Sequence, residues 1–240
     1  MTETETASSP AEKATRALVQ QRDTPLEQNE LLVLFKETLA EGEQALRDEH
    51  NAGESGLTVA KRRADLIDAI LAELFVRHAA SVDPSIGESI TMVATGGYGR
   101  GLLNPFSDLD LLFLHSDAMK TLDPSVQKMI ETVLYTLWDL RLKVGHATRS
   151  IKGCIDLALE DFETLSSFIE SRPIYGNTQL YDEFVTRVRT SCIRGREDAY
   201  LQNRIEDLHD RHERALGTIY VQEPNVKTGI GGLRDYHNIL

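Results

Sequence analysis

Apolar side chains recur three and four positions apart through residues 29–50 (NELLVLFKETLAEGEQALRDEH), which predicts a helix, and NAGESG ends it. A second helix is expected over about 57–80, where Val59, Leu66, Ile67, Ile70, Leu71 and Leu74 form one stripe. The pattern then shortens. SITMVATG reads as a buried strand ending in glycine, and LDLLFLH as a second strand. A helix over about 121–141 carries Val126, Ile130, Val133, Leu134, Leu137 and Leu140, with Trp138 and the leucines in the core; LKVGHATRS is a third strand. From 151 onward the pattern is helical: 152–171, 178–191, and a charged helix from about 194 to 216. Residues 1 to about 28 are polar, without periodicity, and are expected to be mostly disordered. A small mixed sheet with helices before and after it predicts an α+β fold. The chain divides into a leader (1–54), a mixed core (55–176) and a helical segment (177–240).

Composition narrows the classes. The 240 residues are 41% hydrophobic, enough for a real core. A net charge of −12 argues against non-specific binding to nucleic acid or an anionic membrane. Residues 1–54 hold twelve acids against five bases, so the leader is expected to be a solvated arm. Cys154 and Cys192 give neither a disulfide framework nor metal-site spacing. No apolar run approaches 18 residues and the acidic start is no signal peptide, so a cytoplasmic protein is expected.

The stretch ATGGYGRGLLNPFSDLDLLFLH (94–115) carries the candidate chemistry. Gly96, Gly97, Gly99 and Gly101 surround Tyr98 and Arg100. A glycine turn leaving a strand exposes N–H groups that can cradle phosphate. The spacing fits neither G-x-G-x-x-G nor a P-loop. Asp108 and Asp110 face one side of the second strand, with Cα atoms about 6–7 Å apart at a rise of about 3.3 Å per residue; Leu109, Leu111 and Phe113 face the core. Two converging carboxylates repel unless a cation lies between them, and Mg²⁺, a hard ion completed by water and phosphates, is the usual answer. A two-metal site would hold its ions about 3.5–4 Å apart for an in-line displacement at phosphorus. Ser107 can add a hydroxyl and Arg100 a guanidinium to the phosphates.

Gly-Gly, a short helix and Asp-x-Asp in a strand resemble the nucleotidyltransferase superfamily of DNA polymerase β. The blocks GGYGRGLLNPFSDLDLLFL, LWDLRLKVGHATRS, FIESRPIYGN and EPNVKTGIGGLRDYHNIL narrow this further. Together they resemble the bifunctional PII uridylyltransferase/uridylyl-removing enzymes of bacterial nitrogen control, over residues 57–240. The resemblance implies a nucleotidyltransferase core over 55–176. It implies transfer of UMP from UTP to a tyrosine of the PII signalling protein, with Mg²⁺ and release of pyrophosphate. Gly96 and Gly97 match the family's nucleotide-binding turn, and Asp108 and Asp110 its metal-binding pair. Family members are several times longer and carry a phosphohydrolase domain and two glutamine-sensing domains, so a fragment without those activities is expected.

The third carboxylate common in this superfamily is not fixed by the sequence. His146, on the third strand, Asp156 and Glu170 are the candidates for third ligand or general base. Lys143, Arg149 and Lys152 can steer UTP if they face the cleft. Glu170-Ser171-Arg172 can hold an internal ion pair. Tyr98 can stack on uracil or pack on its helix, and KTGIGGLRD can face phosphate or simply begin a helix. Two rival readings are a transferase using another nucleotide or acceptor, and a non-catalytic module that binds PII or nucleotide.

Overall fold

The computed structural model describes residues 9–22, 24, 26–82, 85–119, 121–215, 217–220 and 222–238. The chain forms two units, Met1–Val188 and Arg189–Leu240.

The first unit opens with three helices, α1 (Pro10–Gln20), α2 (Gln28–Asn51) and α3 (Gly56–Val82). Helix α1 lies where disorder is expected; residues 1–8 lie outside the described residues. Its cause is local and tertiary. Ser9 and Glu12 form a reciprocal capping box and Pro10 occupies the first turn. Ala14 and Leu18 are buried, and α1 packs on α3. Arg22 and Arg77 both pair with Glu73, at 2.5 and 2.9 Å, so a carboxylate only 3% exposed carries two cations. Part of the leader is therefore docked, not a solvated arm.

After α4 (Ile86–Ser89) come β1 (Ile90–Ala94), the short α5 (Gly96–Gly99), β2 (Leu109–His115), α6 (Pro124–Asp139) and β3 (Val144–Ser150). Then follow α7 (Ile151–Glu160), α8 (Phe162–Ile169), β4 (Arg172–Gly176) and α9 (Thr178–Arg187). The sheet order is β3-β2-β1-β4; β2 and β3 run parallel and the other pairs antiparallel. One face, with Met92, Leu109, Leu111 and Phe113, joins the main core with α3 and α6. The other face, with Val93, Leu112 and Leu114, is covered by α9, and Phe168 of α8 stacks edge-on against Phe184 of α9. The α+β expectation holds.

Three expectations need correction. The helix expected over 152–171 breaks at Asp161, whose carboxylate accepts from the amides of Glu163 and Thr164 and starts a new helix. Arg172–Gly176 is a strand, missed because its alternation is short and proline-bearing; it pairs at the sheet edge, where proline is tolerated. Trp138 is 46% exposed, not core, because it lies off the buried stripe of α6.

His78 is buried on α3, its Nε2 without a hydrogen-bond partner among the described residues, and desolvation and the neighbouring Arg77 push its pKa down. The folded state disfavours the protonated ring, so stability is complete above the unfolded pKa of about 6.5 and falls as pH drops below it. His78→Leu should flatten the loss of melting temperature between pH 7.5 and 5.5; an unchanged slope would contradict the assignment.

The second unit contains α10 (Glu197–Arg214) and α11 (Leu233–His237). Arg211 is buried and binds Asp207 and Asp235, while His212 Nε2 lies 2.7 Å from Asp235. The charges of this helix are thus partly buried and form a clasp. The KTGIGGLRD amides are spent within the turn: Gly229 donates to Asn225 O, Gly232 to Gly229 O and Gly231 to Asp235 Oδ2. That arrangement is a helix-starting turn.

Candidate active site

β1 ends at Ala94 and the chain turns through Thr95 into α5. The Thr95 amide donates to the Asp110 carbonyl oxygen at 3.0 Å, which ties the turn to the first residues of β2. Gly96 has φ 54°, a left-handed conformation that suits glycine. A Cβ on Gly96 would lie 3.4 Å from Asp110 Oδ2 and 3.7 Å from Ser167 Oγ of α8. Asp110 pairs in register with Gly145 of β3, and a Cβ there would lie 2.9 Å from Asp110 Oδ1. The Asp110 carboxylate therefore occupies a slot walled by two glycines. At the turn itself, the Gly96 and Gly97 amides donate to no backbone carbonyl among the described residues outside the helix.

Asp108 stands just before β2 and not within it. The ladder already begins beside it, because the Leu109 amide donates to Lys143 O at 2.8 Å. Asp108 and Asp110 are both exposed on either side of fully buried Leu109, the alternation expected of i and i+2 on one face. Ser107 is exposed, and its amide closes a turn onto Asn104 O. Arg100 follows α5 and is ion-paired to Glu170 at 2.5 Å, with Nη2 3.6 Å from the Cβ position of Gly97. Its guanidinium thus lies at the turn.

The three candidates for a further acid or base are placed elsewhere or engaged. His146 pairs with Leu111, so it faces the opposite side of β3 from Gly145, edge-on to Trp138. Asp156 pairs with Lys152 at 2.6 Å, and Glu170 with Arg100. Among the described residues no three His, Cys, Asp or Glu side chains gather as a metal cluster. Of the steering bases, Arg149 shares the Gly145 face of β3 by alternation, whereas Lys152 is held by Asp156. Tyr98 is buried, which removes it as a stacking platform. Cys154 is buried and its thiol is pushed up to about 12 by desolvation, leaving it inert as a nucleophile.

Sequence reasoning missed Gly145 and Ser167. A glycine inside a strand pattern signals close approach, and that signal was present at Gly145. It also missed Phe106, which has φ 67° and is 90% exposed, following Pro105 where a type II turn favours glycine or asparagine. Phe106→Gly should raise stability by about 1 kcal/mol, the cost of a side chain held in the left-handed region. A lower melting temperature would show that the phenyl ring is needed by the fold.

Residues 83–175, which hold β1 to β3 and most of β4, match the nucleotidyltransferase domain family. Residues 199–240 match the GlnD PII-uridylyltransferase family. Over most of its length the chain is similar to bifunctional uridylyltransferase/uridylyl-removing enzymes. The enzyme of Caulobacter vibrioides is 35% identical over 211 residues, covering 86% of this chain and 22% of the relative. That of Rhodospirillum rubrum is 38% identical over 215 residues, 88% of this chain and 23% of the relative. That of Nitrobacter hamburgensis is 40% identical over 199 residues, 81% and 20%. The chain spans less than a quarter of the length of these relatives.

Proposed function

We propose that this chain moves UMP from UTP to a tyrosine hydroxyl of the PII protein, with Mg²⁺, releasing pyrophosphate in the cytoplasm. The observation that carries the reading is the Asp110 carboxylate lying against Gly96, which brings an acidic ligand and a glycine turn to one place. The relatives' printed activity supplies the nucleotide.

The donor set fits Mg²⁺. Two exposed carboxylates, Asp108 and Asp110, with no third acid gathered beside them among the described residues, suit an ion that takes one or two carboxylates and completes its shell with water and phosphate. Bound there, Mg²⁺ would neutralise phosphate charge and polarise the α-phosphate. The protein does the rest. Gly96 and Gly97 offer backbone N–H groups to the triphosphate, and Ser107 a hydroxyl. Arg100, held beside the turn by Glu170, brings a guanidinium charge to the phosphates. Donors fixed before reaction need no reorganisation as charge develops, the main source of acceleration in this chemistry.

The test is transfer of label from α-³²P-UTP to purified PII. Transfer that needs Mg²⁺ and is lost when the PII acceptor tyrosine is replaced by phenylalanine is the expected result. Labelling from ATP but not UTP would replace the nucleotide assignment.

A further inference from the structure

The glycine turn contacts more than the sheet. Arg172 pairs with Ala94, the last residue of β1, so β4 begins directly beside the turn. Arg172 grips Asp68 of α3 with two nitrogens, at 2.5 and 2.9 Å. Asp68 in turn accepts from the hydroxyl of Tyr98, the residue at the centre of α5. The Arg172 guanidinium also lies 5.0 Å from the centroid of the Tyr98 ring, a cation–π contact. Its Nε is 3.8 Å from the Cβ position of Gly101 and has no hydrogen-bond partner among the described residues. Two residues earlier, Glu170 binds Arg100, and its carbonyl oxygen would lie 2.1 Å from a Cβ on Gly99. Glu170 and Arg172 are not paired with each other, as the sequence suggests; each reaches across to the turn.

We infer that Asp68, Tyr98 and Arg172 are positioning residues that hold the Gly96–Gly101 turn in shape to receive a nucleotide triphosphate. Tyr98 stands at the middle of a four-residue helix. So short a helix cannot hold itself, since nucleation costs more than its few hydrogen bonds return. The shape must come from outside, and the described contacts on this side come from the β4 corner and α3. Burial favours the neutral Tyr98 phenol, and the nearby Asp68 carboxylate reinforces this, so its pKa lies well above the ordinary value. The hydroxyl therefore stays a donor to Asp68 at any physiological pH. Burial opposes the Arg172 charge, but the hydrogen bonds and charge of Asp68 more than offset it, so the cation is secure. Such a fixed turn presents its amides without reordering on each binding event, and looseness there would appear as lost affinity.

This inference rests on the nucleotide reading above, and the test separates the two. The 240-residue chain is titrated calorimetrically with Mg·UTP and with Mg·tripolyphosphate, and its melting temperature is recorded. Tyr98→Phe keeps the ring and its packing and removes one donor. It should raise Kd about tenfold for both ligands, the scale of one hydrogen bond to a charged group, with a melting shift of a few degrees at most. Arg172→Lys keeps the charge but loses the two-pronged grip, and should raise both Kd values further; if the phenylalanine variant does not fold, this one carries the comparison. The double variant should bind no more weakly than the worse single one, because both act on the same turn. Variants that melt lower yet bind like wild type would overturn the inference and leave the transferase reading intact. Loss confined to UTP would also overturn it, since the turn would then not be the phosphate contact. A wild-type chain that binds neither ligand would bring down the nucleotide reading itself.

Discussion

Asp110→Asn is expected to cut UMP transfer to PII by at least about 10²-fold, the scale of losing one well-placed electrostatic group. The substitution is nearly isosteric and removes one charge from an exposed side chain, so the fold has little reason to change. Removing that charge also lessens the repulsion between Asp110 and Asp108. In a metal chelator the variant should therefore melt no lower than wild type, while in Mg²⁺ it should gain less stability than wild type does. Asp108→Asn should behave in the same direction. The discriminating measurements are initial rates of label transfer across a Mg²⁺ series and melting with and without the ion. A variant at wild-type rate at every Mg²⁺ concentration would refute the assignment of Asp110 to the metal.

What could be read from the chain was what depends on local pattern. The glycines around Tyr98 and the alternation Asp108-Leu109-Asp110 state a turn and a two-faced strand, and those are where the structure places them. The types of α2, α3, α6, β1 and β2 were equally legible, since long apolar stripes on the helices and continuous apolar runs on the strands leave little choice. Residues that matter through pairing were not legible. The slot for Asp110 depends on β3 running parallel to β2 in one register, which sets Gly145 rather than His146 beside the carboxylate. A shift of one residue would have exchanged them. The partner of Arg172 lies 104 positions away on α3, and that of Arg100 lies 70 away, separations that no local spacing encodes. Helix α1 failed for a related reason: its few apolar residues make a stripe only once Leu18 and Ala14 have α3 to pack against.

Gly145→Ala should separate folding from catalysis. The new methyl would start 2.9 Å from Asp110 Oδ1, closer than real Cβ contacts allow, so something has to move. The obstacle is the far end of a side chain and not backbone, so the strands themselves need not move. Gly99 is the opposite case, where the obstacle is the Glu170 backbone. Alanine is also no worse than glycine within a strand, since glycine loses more conformational freedom on folding. The melting temperature of Gly145→Ala should thus stay close to wild type. The carboxylate, however, would be pushed from its position against Gly96, and a displacement of about 1 Å in a reacting constellation can cost on the order of 10²-fold in rate. The expected outcome is a stable chain with turnover reduced between about 10- and 10²-fold and a raised Mg²⁺ requirement, because the misplaced ligand must be drawn back on binding. Full activity in Gly145→Ala would mean that Asp110 does its work from some other rotamer, and the two-glycine slot would lose its role in the site.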